Sequence, residues 1–253
     1  PASDTLTLSI DDGGNTGSGG ALTASDAATI NIAAVNDAPT ATITPATYAA
    51  TEQTTLSLAG TGMSIGDVDA GGASVTTTLS VVSGTLNVTA GTTGVTVGGS
   101  GSNSVTLTGT VAQINALLAG NLGASADYII SSDTPPASDT LTLSIDDAGN
   151  TGSGGALTAS DAATINIAAV NDAPTATITP VSYAATEQTT LTLAGSGLSI
   201  GDVDAGGASV TTTLSVVSGT LNVTAGTTGV AVAGSGSNSV TLIGTVAQIN
   251  ALL

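Results

Sequence analysis

The sequence predicts an all-β protein made of tandem β-sandwich domains, each carrying one short helix. Three observations predict it. The 253 residues are dominated by Val, Ile, Leu, Ala, Thr, Ser and Gly, a mixture that favours strands and tight turns over helices. Alternating apolar and polar runs recur at about ten-residue spacing between Gly, Asn and Asp turn signals, the pattern of a sandwich. Residues 1–118 also return as 136–253 with a period of 135, only nine positions differing, among them Gly13/Ala148, Met63/Leu198 and Thr108/Ile243. A period of that length is one whole domain and is too long for a solenoid repeat. Near-identity of this kind marks duplication of an entire unit, which suits a length-building or multivalent module better than a catalyst.

Val35-Asn36-Asp37-Ala38-Pro39 and Val170-Asn171-Asp172-Ala173-Pro174 each separate two alternating segments. Proline there removes a ladder donor and stiffens the joint. One complete domain is therefore expected at 36–170, preceded by the end of one copy (1–35) and followed by the front of another (171–253). Opening at Pro1 in mid-unit, the chain reads as a piece of something longer. Within 36–170 the expected strands are 40–48 (A), 53–59 (B), 73–83 (C), 84–89 (D), 93–98 (E), 103–109, 138–145 (F) and 156–169 (G). Thr110-Val111-Ala112-Gln113-Ile114-Asn115-Ala116-Leu117-Leu118 is the exception. Its apolar positions 111, 114, 117 and 118 fit helical spacing, and Thr110 can cap it.

The chain has no Lys, Arg, His, Cys, Trp or Phe, and its aromatic residues are Tyr48, Tyr128 and Tyr183. Sixteen Asp and two Glu give a formal charge of −18. Without basic side chains nothing neutralises phosphates, which excludes nucleic-acid binding and leaves anionic membranes repulsive. Without His or Cys there is no triad base, no thiol nucleophile and no zinc or haem ligand set, so no enzyme is expected. A mean hydropathy of +0.43 argues against disorder, while no window is apolar for long enough to span a membrane.

Strand parity supplies the site argument. If A runs away from the joint, the B–C loop returns to it, and G must finish at the far end, which brings the F–G loop back as well. Asn36-Asp37, Asp67 and Asp69 of the B–C loop, and Asp146-Asp147 of the F–G loop then converge. Glu52 lies in the A–B turn at the opposite end, where it would meet Asn171-Asp172, Asp202 and Asp204 of the following copy, with Glu187 as its own repeat equivalent. Several carboxylates gathered without a basic partner repel one another. A hard cation resolves the conflict, and Ca²⁺ takes about six to eight oxygen ligands of the kinds present here. The bland alternative is that Asp, Asn and Gly are turn formers in any β-protein. The loop is not an EF-hand, because Gly71 stands at its fifth position and Thr78 at its twelfth. Asp146-Asp147 and Asp11-Asp12 are poor glycosidase pairs, since adjacent strand residues face opposite ways and stacking aromatics are nearly absent. Asn87-Val88-Thr89 and Asn222-Val223-Thr224 match the glycosylation acceptor, a pattern frequent by chance in a Thr-rich chain. Gly98-Gly99-Ser100-Gly101 precedes a strand and no Lys, so it is a turn.

Val-Asn-Asp-Ala-Pro at the joint, Ser64-Ile65-Gly66-Asp67-Val68-Asp69-Ala70-Gly71-Gly72, Leu107-Thr108-Gly109-Thr110-Val111-Ala112-Gln113-Ile114-Asn115 and Ser144-Ile145-Asp146-Asp147 together resemble the bacterial cadherin-like (VCBS-type) tandem repeats of large type I-secreted adhesins and surface proteins. The resemblance implies immunoglobulin/cadherin-like sandwiches, export to the bacterial cell surface or matrix, and calcium at the joints. Asn36, Asp37, Glu52, Asp67 and Asp69 match calcium-type positions. Residues 121–135 depart from the pattern, lacking the aromatic-rich strand such repeats often carry, and no glycine-rich nonapeptide calcium repeat is present. The functions implied are an adhesin extender, a calcium-stiffened rod whose partners are neighbouring repeats, or a matrix or sheath filament formed by self-association. A glycan-binding module would need an aromatic groove that three Tyr do not supply.

Overall fold

A computed structural model describes residues 3–253. The chain divides into two compact units, one comprising residues up to 130 together with 137–167, the other residues 131–136 with 168–253. No helix among the described residues is long and apolar enough to cross a membrane.

The first unit opens with a hairpin, Ser3–Asp11 (β1) and Thr23–Asn31 (β2), paired antiparallel from Ser3↔Asn31 to Asp11↔Thr23 and exposed along both strands. There follow Thr40–Ile43 (β3), Thr47–Thr51 (β4), Leu56–Ser57 (β5), Met63–Gly66 (β6), Ser74–Val81 (β7), Thr85–Thr89 (β8), Thr96–Gly98 (β9) and Ser104–Thr110 (β10). Val111–Leu118 forms the helix α1, and Ser125–Ile129 (β11), Ser138–Asp146 (β12) and Thr158–Ala168 (β13) complete the set. Six strands form one sheet in the order β4-β13-β12-β7-β10-β9, with β5-β11-β8 and β3-β6 as smaller sheets.

Alternation explains why these sheets close on one another. Val75, Leu79 and Val81 of β7, Val105 and Leu107 of β10, Leu141, Leu143 and Ile145 of β12 and Ile165 of β13 point inward. They share one core with Ile43, Ile65, Leu86, Val88, Ala126 and Tyr128 from the smaller sheets. The β12–β7 register sets Leu141 opposite Val81 and Leu143 opposite Leu79. This is a two-layer β-sandwich. Helix α1 seals it with buried Ile114, Leu117 and Leu118, and Thr110 starts the helix as expected. The Thr110 hydroxyl accepts from Gln113 N–H at 3.2 Å while Gln113 Oε1 accepts from Thr110 N–H at 2.9 Å, a reciprocal capping box.

Several expected strands change. The run 40–48 is two strands, β3 pairing with β6 and β4 joining the large sheet, separated at Pro45, which has no N–H for a ladder. Segment 53–59 keeps only Leu56–Ser57 as strand, because the chain turns at Gln53, whose φ is +56°. The remaining strands lie within two or three residues of expectation. Two strands were not expected: β6, and β11 within the stretch whose one aromatic residue is Tyr128. Tyr128 of β11 is fully buried there and donates its hydroxyl to Asp139 Oδ2 at 3.1 Å.

The second unit repeats the front of the first. It holds Thr175–Ile178 (β14), Leu198–Gly201 (β15), Ser209–Ser215 (β16), Ala231–Ala233 (β17), Ser239–Thr245 (β18) and the helix Val246–Leu252 (α2). Pair β14–β15 repeats the β3–β6 register, from Thr175↔Gly201 to Ile178↔Leu198. Strands β16-β18-β17 form a sheet in that order. Its core is smaller, with Leu221, Val230, Val240, Leu242 and Ile249 buried. The chain is therefore all-β, with one short α-helix in each unit among the described residues.

Candidate metal centre

Strands β12 and β13 run antiparallel, so the loop between them lies at the Asp146/Thr158 end of the large sheet. Residues 34–37 lie against that loop. Ser153 N–H donates to Ala34 O at 2.9 Å, Asn36 N–H donates to Ser153 O at 3.3 Å, and Val35 bridges Ser153. The Asn36 amide is buried, and its Nδ2 donates to Asp147 Oδ2 at 2.7 Å and to Gly155 O at 3.1 Å. Two acceptors at one end of the amide fix which atom is nitrogen. Oδ1 is then left buried with no hydrogen-bond partner.

The loop after β6 joins the same place. Asp37 N–H donates to Asp69 Oδ2 at 2.5 Å, and Asp67 Oδ1 accepts from Asp69 N–H at 2.8 Å and Ala70 N–H at 3.0 Å. Asp67 Oδ2 is a second buried oxygen without a partner. The Thr151 hydroxyl donates to Asp69 O, and Asn150 Nδ2 donates to Ser74 O at 2.9 Å, tying the β12–β13 loop to this one. A continuous set of hydrogen bonds thus brings together Asn36, Asp37, Asp67, Asp69 and Asp147.

Asp147 has a distinct place in this cluster. It is fully buried, yet Oδ1 accepts from Gly149 N–H and Leu157 N–H, both at 2.8 Å, and Oδ2 accepts from Asn36. The Gly149 and Leu157 N–H bonds, assisted by Asn36, hold its carboxyl below the usual carboxylate range against the opposing effect of burial. Both oxygens are occupied by protein donors. Asp146 is exposed and caps its own turn, Oδ1 accepting from Ala148 N–H at 2.8 Å. No acid–base pair is poised between the two.

Glu52 lies away from the cluster. It is buried in the turn after β4, beside Gln53, whose N–H donates to Ile130 O at 2.8 Å. Ile129 pairs with Thr85, and Ser83 N–H reaches Asp139 at the start of β12, the end opposite Asp146. In the second unit the local joint geometry recurs. Asp172 N–H donates to Asp204 Oδ2, and Asp202 Oδ1 accepts from Asp204 N–H and Ala205 N–H, both at 3.0 Å. Asn171 is exposed beside them, its Nδ2 donating to Asp172 O at 3.4 Å. Glu187 sits exposed in the 186–189 turn. Sequence reasoning missed Thr151, whose φ of +52° is rare for a β-branched residue and carries no signature in the sequence.

No family model matches the chain, and no curated protein matches it. Solved structures do. A protocadherin gammaB7 EC3-6 cis-dimer structure is 16% identical at a TM-score of 0.32, covering 97% of this chain and 50% of that one. The protocadherin gammaB4 extracellular domain is 19% identical at 0.33, covering 95% and 34%. Cadherin domains 1–5 of protocadherin gammaB2 are 15% identical at 0.34, covering 96% and 38%. The chain spans half or less of the length of these structures. Its architecture rests on its own strand pairings and not on these similarities.

Proposed function

We propose that the chain is a run of extender domains from an extracellular adhesin of the bacterial cadherin-like (VCBS-type) kind, stiffened by Ca²⁺ where one repeat meets the next. The observation carrying this reading is the pair of buried, partnerless oxygens, Asn36 Oδ1 and Asp67 Oδ2, within one acidic cluster. A buried oxygen without a donor costs about 1–3 kcal/mol, a cost that a bound cation removes. Carboxylate and amide oxygens without nitrogen or sulfur ligands are the donor set of a hard cation. Asn36, Asp67, Asp69 and Asp37 are the residues that would hold it, with Asp146 at the margin, and Asp147 orients the Asn36 amide. Asn171, Asp172, Asp202 and Asp204 form the corresponding set in the next copy, and Glu52 and Glu187 are assigned to the far ends of their repeats. Bound there, calcium supplies charge neutralisation and a fixed angle between repeats. The domain frame of this proposal is 36–170, flanked by parts of its neighbours.

Asp67→Asn tests it, because the new amide retains an oxygen for the Asp69 and Ala70 N–H groups while replacing the partnerless oxygen with nitrogen. Calcium should raise the melting temperature of the wild-type chain, by a linkage worth about 2.7 kcal/mol per site at 100-fold excess over the dissociation constant. Magnesium, held to tight octahedral geometry, should do much less. A melt indifferent to millimolar calcium, or an Asp67→Asn chain keeping the full shift, refutes the assignment. Small-angle scattering should also give a longer particle in calcium than in chelator.

A further inference from the structure

We propose that residues 148–155, the loop between β12 and β13, are a latch whose closure on residues 34–36 completes the cation site. Latch and cation then stabilise one another, a coupling that rests on the cation reading above and adds what governs the site. Every partner involved lies within the first unit.

The loop grips the joint through backbone groups. Ala34 O accepts from the Ser153 N–H at 2.9 Å and from its hydroxyl at 3.3 Å, and Asn36 N–H donates back to Ser153 O at 3.3 Å. In the proposed domain frame Ala34 and Val35 end the preceding repeat, so the loop of one repeat holds the tail of the one before it. On its other side the loop is tied by the Thr151 hydroxyl to Asp69 O and by Asn150 Nδ2 to Ser74 O at 2.9 Å. Residues 151–155 are exposed, whereas Asn36, which they hold, is only 6% exposed.

Closure decides which atom Asn36 offers to the cluster. Its Nδ2 is drawn to Asp147 Oδ2 and Gly155 O, acceptors that lie 111 and 119 residues away in sequence. Oδ1 is thereby left as the buried, partnerless atom. With the loop open, Gly155 O withdraws and the amide is free to turn its nitrogen toward the carboxylates, where it repels a cation. The closed loop also has a cost. It requires positive φ at Ala148, Gly149, Thr151, Gly152 and Gly154, from +52° to +143°, and two of these residues are not glycine. Without a cation, repulsion among Asp67, Asp69 and Asp147 favours opening too. Such a loop opens locally while its sheet stays folded. A cation that binds the closed joint must hold the loop shut by the same factor by which closure raises its affinity.

Amide hydrogen exchange and a calcium titration of the 253-residue chain, followed at the amide resonances of residues 34–37, test this. Calcium should slow exchange of the Ser153 and Asn36 N–H groups at least about tenfold relative to chelator, beyond any change at Leu141 and Leu143 in the core. In Asp67→Asn, calcium should leave Ser153 exchange unchanged. Gly152→Ala places a Cβ 2.5 Å from Val35 C and Asn36 N and alters no oxygen assigned to the cation. It should lower calcium affinity at least about tenfold. Thr151→Val, at an exposed position, keeps the branched side chain and removes the donor to Asp69 O, and should lower affinity about threefold. A wild-type chain whose resonances ignore calcium refutes the cation reading and the coupling with it. Wild-type affinity in both Gly152→Ala and Thr151→Val, or Ser153 exchange indifferent to bound calcium, overturns the latch and leaves the cation reading standing.

Discussion

Replacing Asp139 by Ala should be the costliest single change in the first unit outside its apolar core. Asp139 is buried at the start of β12. It accepts from Val82 N–H at 2.9 Å, from Ser83 N–H at 3.0 and 3.1 Å, and from the fully buried Tyr128 hydroxyl at 3.1 Å. Thr140 N–H also donates to Asp139 Oδ1, at 2.7 Å, and alanine leaves the other three donors, from the Val82–Ser83 turn and Tyr128, facing a vacancy. Val82 and Ser83 sit in an edge turn that water reaches, so each loses about 1 kcal/mol, whereas the Tyr128 hydroxyl, cut off from water, loses about 2 kcal/mol. The total of about 4 kcal/mol falls in the range of about 3–5 kcal/mol seen when one partner of a buried charged contact is removed. Tyr128→Phe removes a donor and strands nothing else, so it should cost about 1.5 kcal/mol. The double variant should cost about 2 kcal/mol, less than the two together by about 3.5 kcal/mol, because the Tyr128–Asp139 bond is then lost once and no hydroxyl is orphaned. Native-state hydrogen exchange at the Leu141 and Leu143 amides reads this unit without averaging over the other. A cost below about 1 kcal/mol for Asp139→Ala, or strict additivity with Tyr128→Phe, would refute the reasoning.

Two further outcomes follow from the joint. Because the Asp147 carboxyl is held below its ordinary value near 3.9, its contribution to stability is complete above that pH and is lost as the pH falls through the lower folded value. Asp147→Asn should therefore destabilise the first unit at neutral pH, and the gap from wild type should close in acid melts taken below about pH 4. Gly152→Ala places a Cβ 2.5 Å from Asn36 N at a φ of +132°. It should loosen residues 34–37 from the β12–β13 loop, read as faster exchange of the Asn36 and Ser153 amides at a cost of about 1–3 kcal/mol.

How much of this was legible in the sequence depended on whether a signal was local. Strand parity pointed to the joint although its count did not hold: two strands were expected between Asn36 and Asp67 where β3 to β6 are four, and five between Asp67 and Asp147 where β7 to β12 are six. What brings the two loops to one end is the antiparallel pairing of β12 with β7. The helix was legible because Thr110 and Gln113 close their capping box within four residues. Strand β6 was hidden, since Met63 and Ile65 give one alternation and its pairing with β3 is a tertiary choice. Strand β11 was hidden by the expectation of aromatics, although Ala126, Tyr128 and Ile130 alternate inward. That Asp147 is fully engaged while Asn36 and Asp67 each keep a partnerless oxygen is a matter of side-chain geometry, and no spacing encodes it.

Buried Asp139 and Asp147 are caught by amide N–H groups and one phenol, in a chain that has no basic side chains at all. Chemically, that leaves an exterior with few handles. A protease that cuts after lysine or arginine finds no site in 253 residues, and amine-directed cross-linkers find no side chain to modify. No thiol can be alkylated, and the one sulfur an oxidant could attack, that of Met63, is sealed in the core beneath β3 and β6.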